Sequence, residues 1–599
     1  MTAVFGLFGE ADLGEVRQMG ARLAHRGSVQ CAWSVSSRVH LGTRARSRTT
    51  QAAGLPVAFS GYFDNREELQ ALLGIGAEEG RSLTDAELFL ALYHAHGEDG
   101  LGRIRGQFAV ALWDDARQRL LLICDPLATK LLYVARAGDR WAFATEYKSL
   151  LALGDVPARP DRDAIHHLHC TKQPYGRGSL LEGVRPLLPG TCLELGGPEP
   201  VTRCYRPLRL RINDRPEAEQ AQGLRDRLLA SVELQTRGRR ELGLALSSGL
   251  DSAVTIGAIR HVAPELRLHT FTAGFGIDDG GLQAAAEVAR HFDTAHHEIT
   301  LAPDDLPGLL PHVVWHMEDP IGREEMVFWY LISQEAARHV QMLLCGNLSD
   351  LLFAGMPRFI VPRAATSLPM LKSPLEEFYN CTQSGRQPAS LLGRLLTKAY
   401  FRSMPLPPPR VLGATQEVEL TQFDLGHPEP LNKLLLEGLN GHPNPNATYE
   451  RLYANGGIDY NSPFYDLDVV DFAFTVPDRL KIQGREQKHI LREAAKGLLP
   501  DAILRRPKGL LRLARDRRFS DVLAGLAAEY LSPRRVRDRG LFDAEDVARI
   551  RRRPADGVYP EDQLYRLWTL LLTEIWSELY IDSRGAAPVA AKQPMAHAA

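Results

Sequence analysis

The sequence predicts an α/β protein in two parts: stacked sheets with helical layers first, then a parallel sheet with crossover helices and further helices. Three observations predict it. Short apolar or alternating runs crowd residues 1 to about 205. A charged, proline-bearing stretch follows, and strand and helix patterns then alternate regularly between 241 and 300. At 599 residues the chain also exceeds one ordinary core, so at least two domains are expected.

In the first part, the runs "AVFGLFG", "CAWSVSS", "LPVAFSGYF", "GQFAVALWD", "LLLICD", "LLYVAR" and "WAFATE" read as strands separated by Gly, Asp and Arg turns. Helical patterns intervene at 65–75 and 84–97. "YRPLRLRINDRPEAE" carries two prolines and many charges, so 206–218 reads as a linker between a 1–205 domain and a 219–583 domain. A helix is expected over 217–234, then strand 241–246, helix 251–262, strand 267–274, helix 281–292 and strand 295–300. That order argues for a parallel sheet. Helical segments are expected to dominate the rest, with "SMPLPPPRVLG" (403–413) as a surface connection and 584–599 as a disordered tail.

Composition excludes several classes. The formal net charge is -2, so no overall field draws in nucleic acid or an anionic membrane. The basic runs at 534–539 and 549–554 are interleaved with acids and read as solvated helix faces. No apolar run is long enough to span a bilayer, and the N-terminus lacks the basic start of a signal peptide. The seven cysteines are scattered without a CxxC pair, which predicts reduced, mostly buried thiols and a cytoplasmic location, and no zinc site is readable from their spacing.

"LGLALSSGLDSAVT" (242–255) carries the chemistry. An apolar strand breaks into Ser247-Ser248-Gly249-Leu250-Asp251-Ser252 and a helix resumes. Serine hydroxyls, a glycine and the first helical N–H groups facing one spot make an anion site suited to phosphate. A carboxylate there implies a Mg2+ ion between it and the phosphates. From spacing alone, an ordinary serine-capped turn reads the same way.

The order SxGxDS after a strand resembles the pyrophosphate loop of the N-type ATP pyrophosphatases, and within them the asparagine synthetase superfamily. "LHTFTAGF" (268–275), "LLCGNLSDLLFAGM" (343–356) and the stretch from "YNSPFYDLDVV" to "LLPDAILRRPKG" (460–509) extend the resemblance in order along the chain. It implies an Ntn-type αββα sandwich of glutaminase descent, followed by an adenine nucleotide α-hydrolase-like ATP-pyrophosphatase domain with helical additions. It also implies that Ser247, Ser248, Gly249 and Ser252, with Leu250 in the same loop, hold the pyrophosphate of ATP. Asp251 and Asp350 would bind Mg2+, and Leu246, Ala273 and Gly346 would surround the adenosine. Lys508 would stabilise charge on an acyl-adenylate under attack by an amine. Lys488 and Arg492, in the "KxxLR" pattern, divide between phosphate contact and helix packing.

The chain departs from the family in both halves. Thr2 stands where the glutaminases carry a nucleophilic cysteine, and Ser60-Gly61-Tyr62 replaces their NGE. The arginine that clamps glutamine should fall near Ala45, beside Arg44 and Arg46, whereas Asp85 matches the acid that binds the glutamine amine. The first domain is therefore expected to be inactive. In the second, Asn347 replaces the glutamate that manages the incoming amine, with Leu348 and Leu351 replacing a glycine and a second glutamate. Among the acids of "WHMEDPIGREE", Glu318, Asp319 and Glu324 are candidates for meeting the acyl substrate, against a solvated acidic loop. The expectation is an ATP-dependent ligase joining a small-molecule or peptide carboxylate to an amine not drawn from glutamine, as in β-lactam synthetases and lasso-peptide cyclases. Ammonia-dependent asparagine synthesis and a non-catalytic scaffold are the alternatives, and a homodimer is open.

Overall fold

The computed structural model describes residues 2–46, 54–172, 178–276, 279–361, 363, 372–384, 389–401, 406–415, 427–440, 446–506 and 516–589. Strands β1 (Thr2–Phe8), β2 (Val29–Ser34), β3 (Val39–Ala45), β4 (Val57–Phe63), β5 (Gly106–Asp114), β6 (Arg119–Cys124), β7 (Tyr133–Ala137), β8 (Arg140–Ala144), β9 (Arg185–Pro186), β10 (Thr191–Leu195) and β11 (Val201–Cys204) build the N-terminal half. They form two sheets, ordered β2-β3-β1-β8-β7-β9 and β11-β10-β6-β5-β4. Helix α1 (Leu13–Ala21) packs on the first sheet and α2 (Asp85–His96) on the second.

Period-2 alternation explains the layering. Ala58, Ala109, Ala111, Leu120 and Leu122 face the large shared core. Their neighbours Val57, Phe59, Phe108, Val110, Leu112, Leu121 and Ile123 face a separate core that includes Leu88, Phe89 and Leu92 of α2. A strand buried on both faces loses its polar alternation, which is why these runs read as continuously apolar. Strand β3, "VHLGTRA", was absent from the expected set, as were β9, β10 and β11; glycine and arginine in β3 mask its pattern.

In the second half come α3 (Glu217–Thr236), β12 (Glu241–Ala245), α4 (Leu250–Val262), β13 (Arg267–Gly274), α5 (Gly280–His291), β14 (Ala295–Thr300), α6 (Leu306–Met317) and α7 (Glu325–Ala336). Two short strands, β15 (Met342–Leu344) and β16 (Asp459–Asn461), also belong here, as do α8 (Asn446–Gly456) and α9 (Glu561–Ser577). The sheet order is β14-β13-β12-β15-β16, parallel throughout. The elements between 217 and 300 match expectation to within two residues. β15 and β16 escape it, because three residues are too few to show a period.

The halves are joined by buried charge. Arg26 donates to Glu450 of α8 at 2.6 and 2.9 Å, and Lys130 donates to the same carboxylate at 2.7 Å. Burial pushes the Glu450 carboxyl up, yet the two cations outweigh it and hold it at about 2. Glu146 takes His25 at 2.9 Å together with Arg26 and Lys148. Glu318 accepts from the backbone N–H groups of Tyr147 and Lys148 at 3.0 and 2.8 Å, and Asp319 from Leu180 at 2.8 Å. These two acids therefore line neither a substrate site nor a solvated loop. They are buried fasteners between the halves, and Glu324 is also buried, 3.4 Å from the Tyr565 hydroxyl of α9.

The stretch expected as a linker is tied down as well: Arg211 and Asn213 donate backbone N–H groups to Phe474 and Thr475, and Leu208 is buried. The first residues of the stretch expected as a tail are held in place: Arg584 donates to Leu153 and Val156, and the Gly585 carbonyl accepts from Trp315. Residues 590–599 lie outside the described residues. No helix among the described residues is long and apolar enough to cross a membrane.

Candidate active site

β12 ends at Ala245 and delivers the loop to the carboxyl edge of the parallel sheet, the edge where such sheets bind ligands. Leu246 is fixed beneath it: its N–H donates to Phe271 at 2.9 Å, and Thr272 Oγ1 donates to its carbonyl at 2.8 Å. The loop then folds on its own hydroxyls. Ser247 N donates to Ser252 Oγ at 3.1 Å, Gly249 N donates to Ser247 Oγ at 3.2 Å, and Ser252 Oγ donates to the Ser247 carbonyl at 3.0 Å. Gly249 is the N-cap of α4 without a capping side chain, so the first helical N–H groups stay directed at the loop mouth. A Cβ on Gly249 would meet only Ser247 Oγ, at 3.2 Å, so the space before it is open. Ser248 and Leu250 are half-buried in the same turn, and Ala273 is buried at the end of β13.

The segment after β15 closes on this loop. Gly346 lets it approach: a Cβ there would lie 2.5 Å from Asp251 Cβ and 2.7 Å from the Asp251 carbonyl carbon. Ser349 Oγ donates to Asp251 Oδ1 at 2.7 Å. Lys488 Nζ reaches both carboxylates, pairing with Asp251 and lying 2.5 Å from Asp350 Oδ1. Burial lowers the affinity of Lys488 for its proton, but Asp251 and Asp350 overcome that and hold its pKa above the ordinary lysine value. Gly355 leaves room for the Lys488 side chain, since a Cβ there would overlap Lys488 Cε and Asp350 Oδ1. Two carboxylates and a hydroxyl form the all-oxygen donor set that Mg2+ takes, and the ammonium already lying between them marks it as a cation position.

Asn347 differs from an acid in more than charge. Its Nδ2 donates to Tyr460 Oη at 2.7 Å, and its carbonyl accepts from Ser462 Oγ at 2.9 Å. Tyr460 continues to Tyr465 at 2.6 Å, which donates to Asn446 at 2.9 Å. Leu348 occupies the left-handed region at φ 76. A leucine there costs about 1–2 kcal/mol, offset by burying its side chain, which contributes about 1.5–3 kcal/mol.

Among the predicted residues, the structure brings Leu246, Ser247, Gly249, Asp251, Ser252, Gly346, Asp350 and Lys488 to one mouth. Lys508 lies outside the described residues. Arg492 turns away: its guanidinium donates to the carbonyls of Leu504 and Gln487, which is helix packing. Sequence reasoning missed Ser349, Gly355, Tyr460 and Tyr465. The serine beside Asp350 and the glycine five residues after it were the available signals; the tyrosine relay had none, because it depends on how β16 pairs with β15.

At the other end of the chain, Thr2 is buried. Its Oγ1 accepts the Gly61 N–H at 3.2 Å, and its carbonyl accepts from Ser60 Oγ at 2.6 Å. Tyr62 Oη and Gln107 Nε2 both donate to the Tyr460 carbonyl, at 2.8 and 2.9 Å. Asp85 is paired with Arg66. Arg44 donates to the carbonyls of Gly27 and Gly20 and to Gln30 Oε1, and Arg46 to the Gly456 carbonyl, so both guanidiniums are held by protein oxygens. A cavity of about 10 Å³ remains between the halves beside Arg26, Lys130, Glu450 and Arg451, room for about one water.

A phosphate-type loop at the carboxyl edge of a parallel sheet, behind a β-sandwich of two antiparallel sheets, suits a nucleotide-binding enzyme, and its relatives make it an ATP-dependent ligase that forms carbon–nitrogen bonds. Comparison with known proteins makes the class specific. The asparagine synthase family matches residues 223–578 and the glutamine amidotransferase domain matches residues 1–205, so the chain belongs to the asparagine synthase family. It is 24% identical over 549 residues to asparagine synthetase [glutamine-hydrolyzing] 1 of Bacillus subtilis, covering 82% of this chain and 83% of that one. It is 24% identical over 472 residues to asparagine synthetase [glutamine-hydrolyzing] 3 of the same organism, covering 76% and 74%. It is 24% identical over 493 residues to amidase chyE of Penicillium rubens, covering 70% and 71%.

Proposed function

We propose that this enzyme adenylates a carboxylate with ATP and joins it to an amine that does not come from glutamine. The observation that carries the reading is the contrast between its two ends. Asp251, Asp350 and Lys488 converge on an open phosphate loop, while Thr2 has no thiol and its hydroxyl already takes the Gly61 N–H. A carboxylate oxygen attacks the α-phosphorus of ATP, the P–O bond to pyrophosphate breaks, and pyrophosphate leaves. The amine nitrogen then attacks the acyl carbon, AMP departs, and the amine loses a proton.

Ser247, Ser252 and the N–H groups at the start of α4 hold the leaving pyrophosphate, and Leu246 and Ala273 wall the nucleoside. Asp251 and Asp350 would hold a Mg2+ ion, which supplies charge neutralisation to the phosphates when bound. Lys508 keeps the charge-stabilising role on the acyl-adenylate that the family resemblance implies, and Lys488, a buried ammonium beside the loop that its neighbours keep protonated, serves phosphate contact. Asn347 orients the amine without titrating, its amide nitrogen being anchored on Tyr460.

The substrate is a small-molecule or peptide carboxylate of specialised metabolism, of the β-lactam synthetase or lasso-peptide cyclase kind. Asparagine synthesis from ammonia would need a group to manage the ammonium proton, and Asn347 and Leu351 have replaced both family glutamates. The test is AMP release with aspartate plus glutamine, aspartate plus ammonium, and a panel of amino-carboxylates and peptides. Glutamine-dependent AMP release accompanied by glutamate would refute the proposal. Turnover with aspartate and ammonium alone would replace it with asparagine synthesis.

A further inference from the structure

We propose that His269, His297 and His339 form a binding site for a zinc-like transition-metal ion, separate from the phosphate loop. In the β13–β14 ladder Phe271 pairs with His297 and His269 with Ala295, so the two histidines sit diagonally on one face of the sheet. His269 Nδ1 lies 3.1 Å from His297 Nε2. Nitrogens bound tetrahedrally to zinc at about 2.0–2.1 Å sit about 3.3 Å apart, so this pair is already at ligand spacing. His339, three residues beyond α7, completes the group: its ring centroid is 4.1 Å from that of His297, and one ligand nitrogen from each histidine lies within 4.8 Å of the others.

The surroundings fit a metal as well. His339 Nε2 is 3.1 Å from Glu335 Oε1 of α7, the carboxylate–histidine arrangement that orients metal-bound imidazoles. Phe271 stacks on His297 at 4.8 Å and gives the group an apolar wall. Three imidazoles suit Zn2+, Co2+ or Ni2+ and leave a fourth position for water, unlike the oxygen set of Asp251 and Asp350. His269 pairs with Gly243 in the middle of β12, and His297 lies on the edge strand β14, so the ion would fasten β13, β14 and the turn after α7 at that edge of the sheet, to the side of the strand that carries the loop. Sequence spacing could not reveal it, because 269, 297 and 339 come from three separate elements.

The test is equilibrium dialysis of the full-length protein against Co2+, with the visible absorption of the bound ion recorded. Asp251→Ala serves as the background, to weaken the carboxylate site. The expected result is one Co2+ per chain, displaced by Zn2+, and lost in both His297→Asn and His339→Asn. Glu335→Gln should weaken binding about tenfold or more. Pyrophosphate exchange measured with the same histidine substitutions in the otherwise native chain should stay within about twofold of native, which also shows that they fold. If His297→Asn does not fold, the half-buried His339→Asn decides alone. No bound Co2+, or a Co2+ equivalent that persists in His339→Asn, overturns the proposal.

Discussion

Gly346→Ala gives the sharpest test of how the site is assembled. The added methyl carbon would stand 2.5 Å from Asp251 Cβ, 2.7 Å from the Asp251 carbonyl carbon and 2.8 Å from Ser252 N. Carbon atoms rest about 3.5–4.0 Å apart, so the two segments must separate by about 1 Å. Both close contacts beyond Cβ are backbone atoms at the start of α4, so no side-chain rotation relieves them. A displacement of about 1 Å in a positioned site costs on the order of 100-fold in rate. Overpacking should also destabilise the fold by about 1–3 kcal/mol. Gly249→Ala is the contrast, since its methyl would meet only the Ser247 hydroxyl. It should leave the unfolding midpoint unchanged and raise the KM for ATP by occupying the phosphate space. The assay is pyrophosphate exchange with denaturant unfolding run in parallel. Exchange by Gly346→Ala within twofold of native would show that the Asp251 and Asp350 segments do not act as one site.

Lys488→Met should abolish amide formation and leave two facing carboxylates whose repulsion Mg2+ relieves, so its lowered unfolding midpoint should recover with Mg2+ while turnover does not. Glu450→Gln should cost about 3–5 kcal/mol in urea unfolding, because Arg26 and Lys130 are left short of a buried partner. The Glu450 carboxyl falls from 4.5 unfolded to about 2 folded, so its stabilisation is present above about pH 4.5 and lost as pH falls towards 2; acid unfolding of Glu450→Gln should be flatter in that window. Thr2→Ala should leave AMP release unchanged, with no glutamate released from glutamine by either protein, as followed by chromatography of both products.

The legible parts of the fold share one property: their signal is local. The strand, loop and helix from 241 to 262 carry apolar run, turn residues and helix period in consecutive positions, and the structure follows them closely. β16 and its Tyr460 are different, because Tyr460 reaches Asn347 only through a ladder between residues more than a hundred positions apart. Glu318 and Asp319 show the same limit from the other side. An acidic run looks solvated in one dimension, yet Lys148, Arg451 and backbone N–H groups of Leu180 and Tyr147 meet it in three. Lys488 was visible as a residue type at the right spacing, but its precedence over Arg492 follows from where the two side chains turn after the left-handed residue at 488.

The most direct test of the central claim is ATP-dependent exchange of labelled pyrophosphate by the purified chain, screened against carboxylate substrates, with Asp251→Ala as the blank. Exchange that depends on one carboxylate and vanishes in the blank is the predicted result. A native chain that binds no ATP and exchanges nothing in any mixture would contradict it.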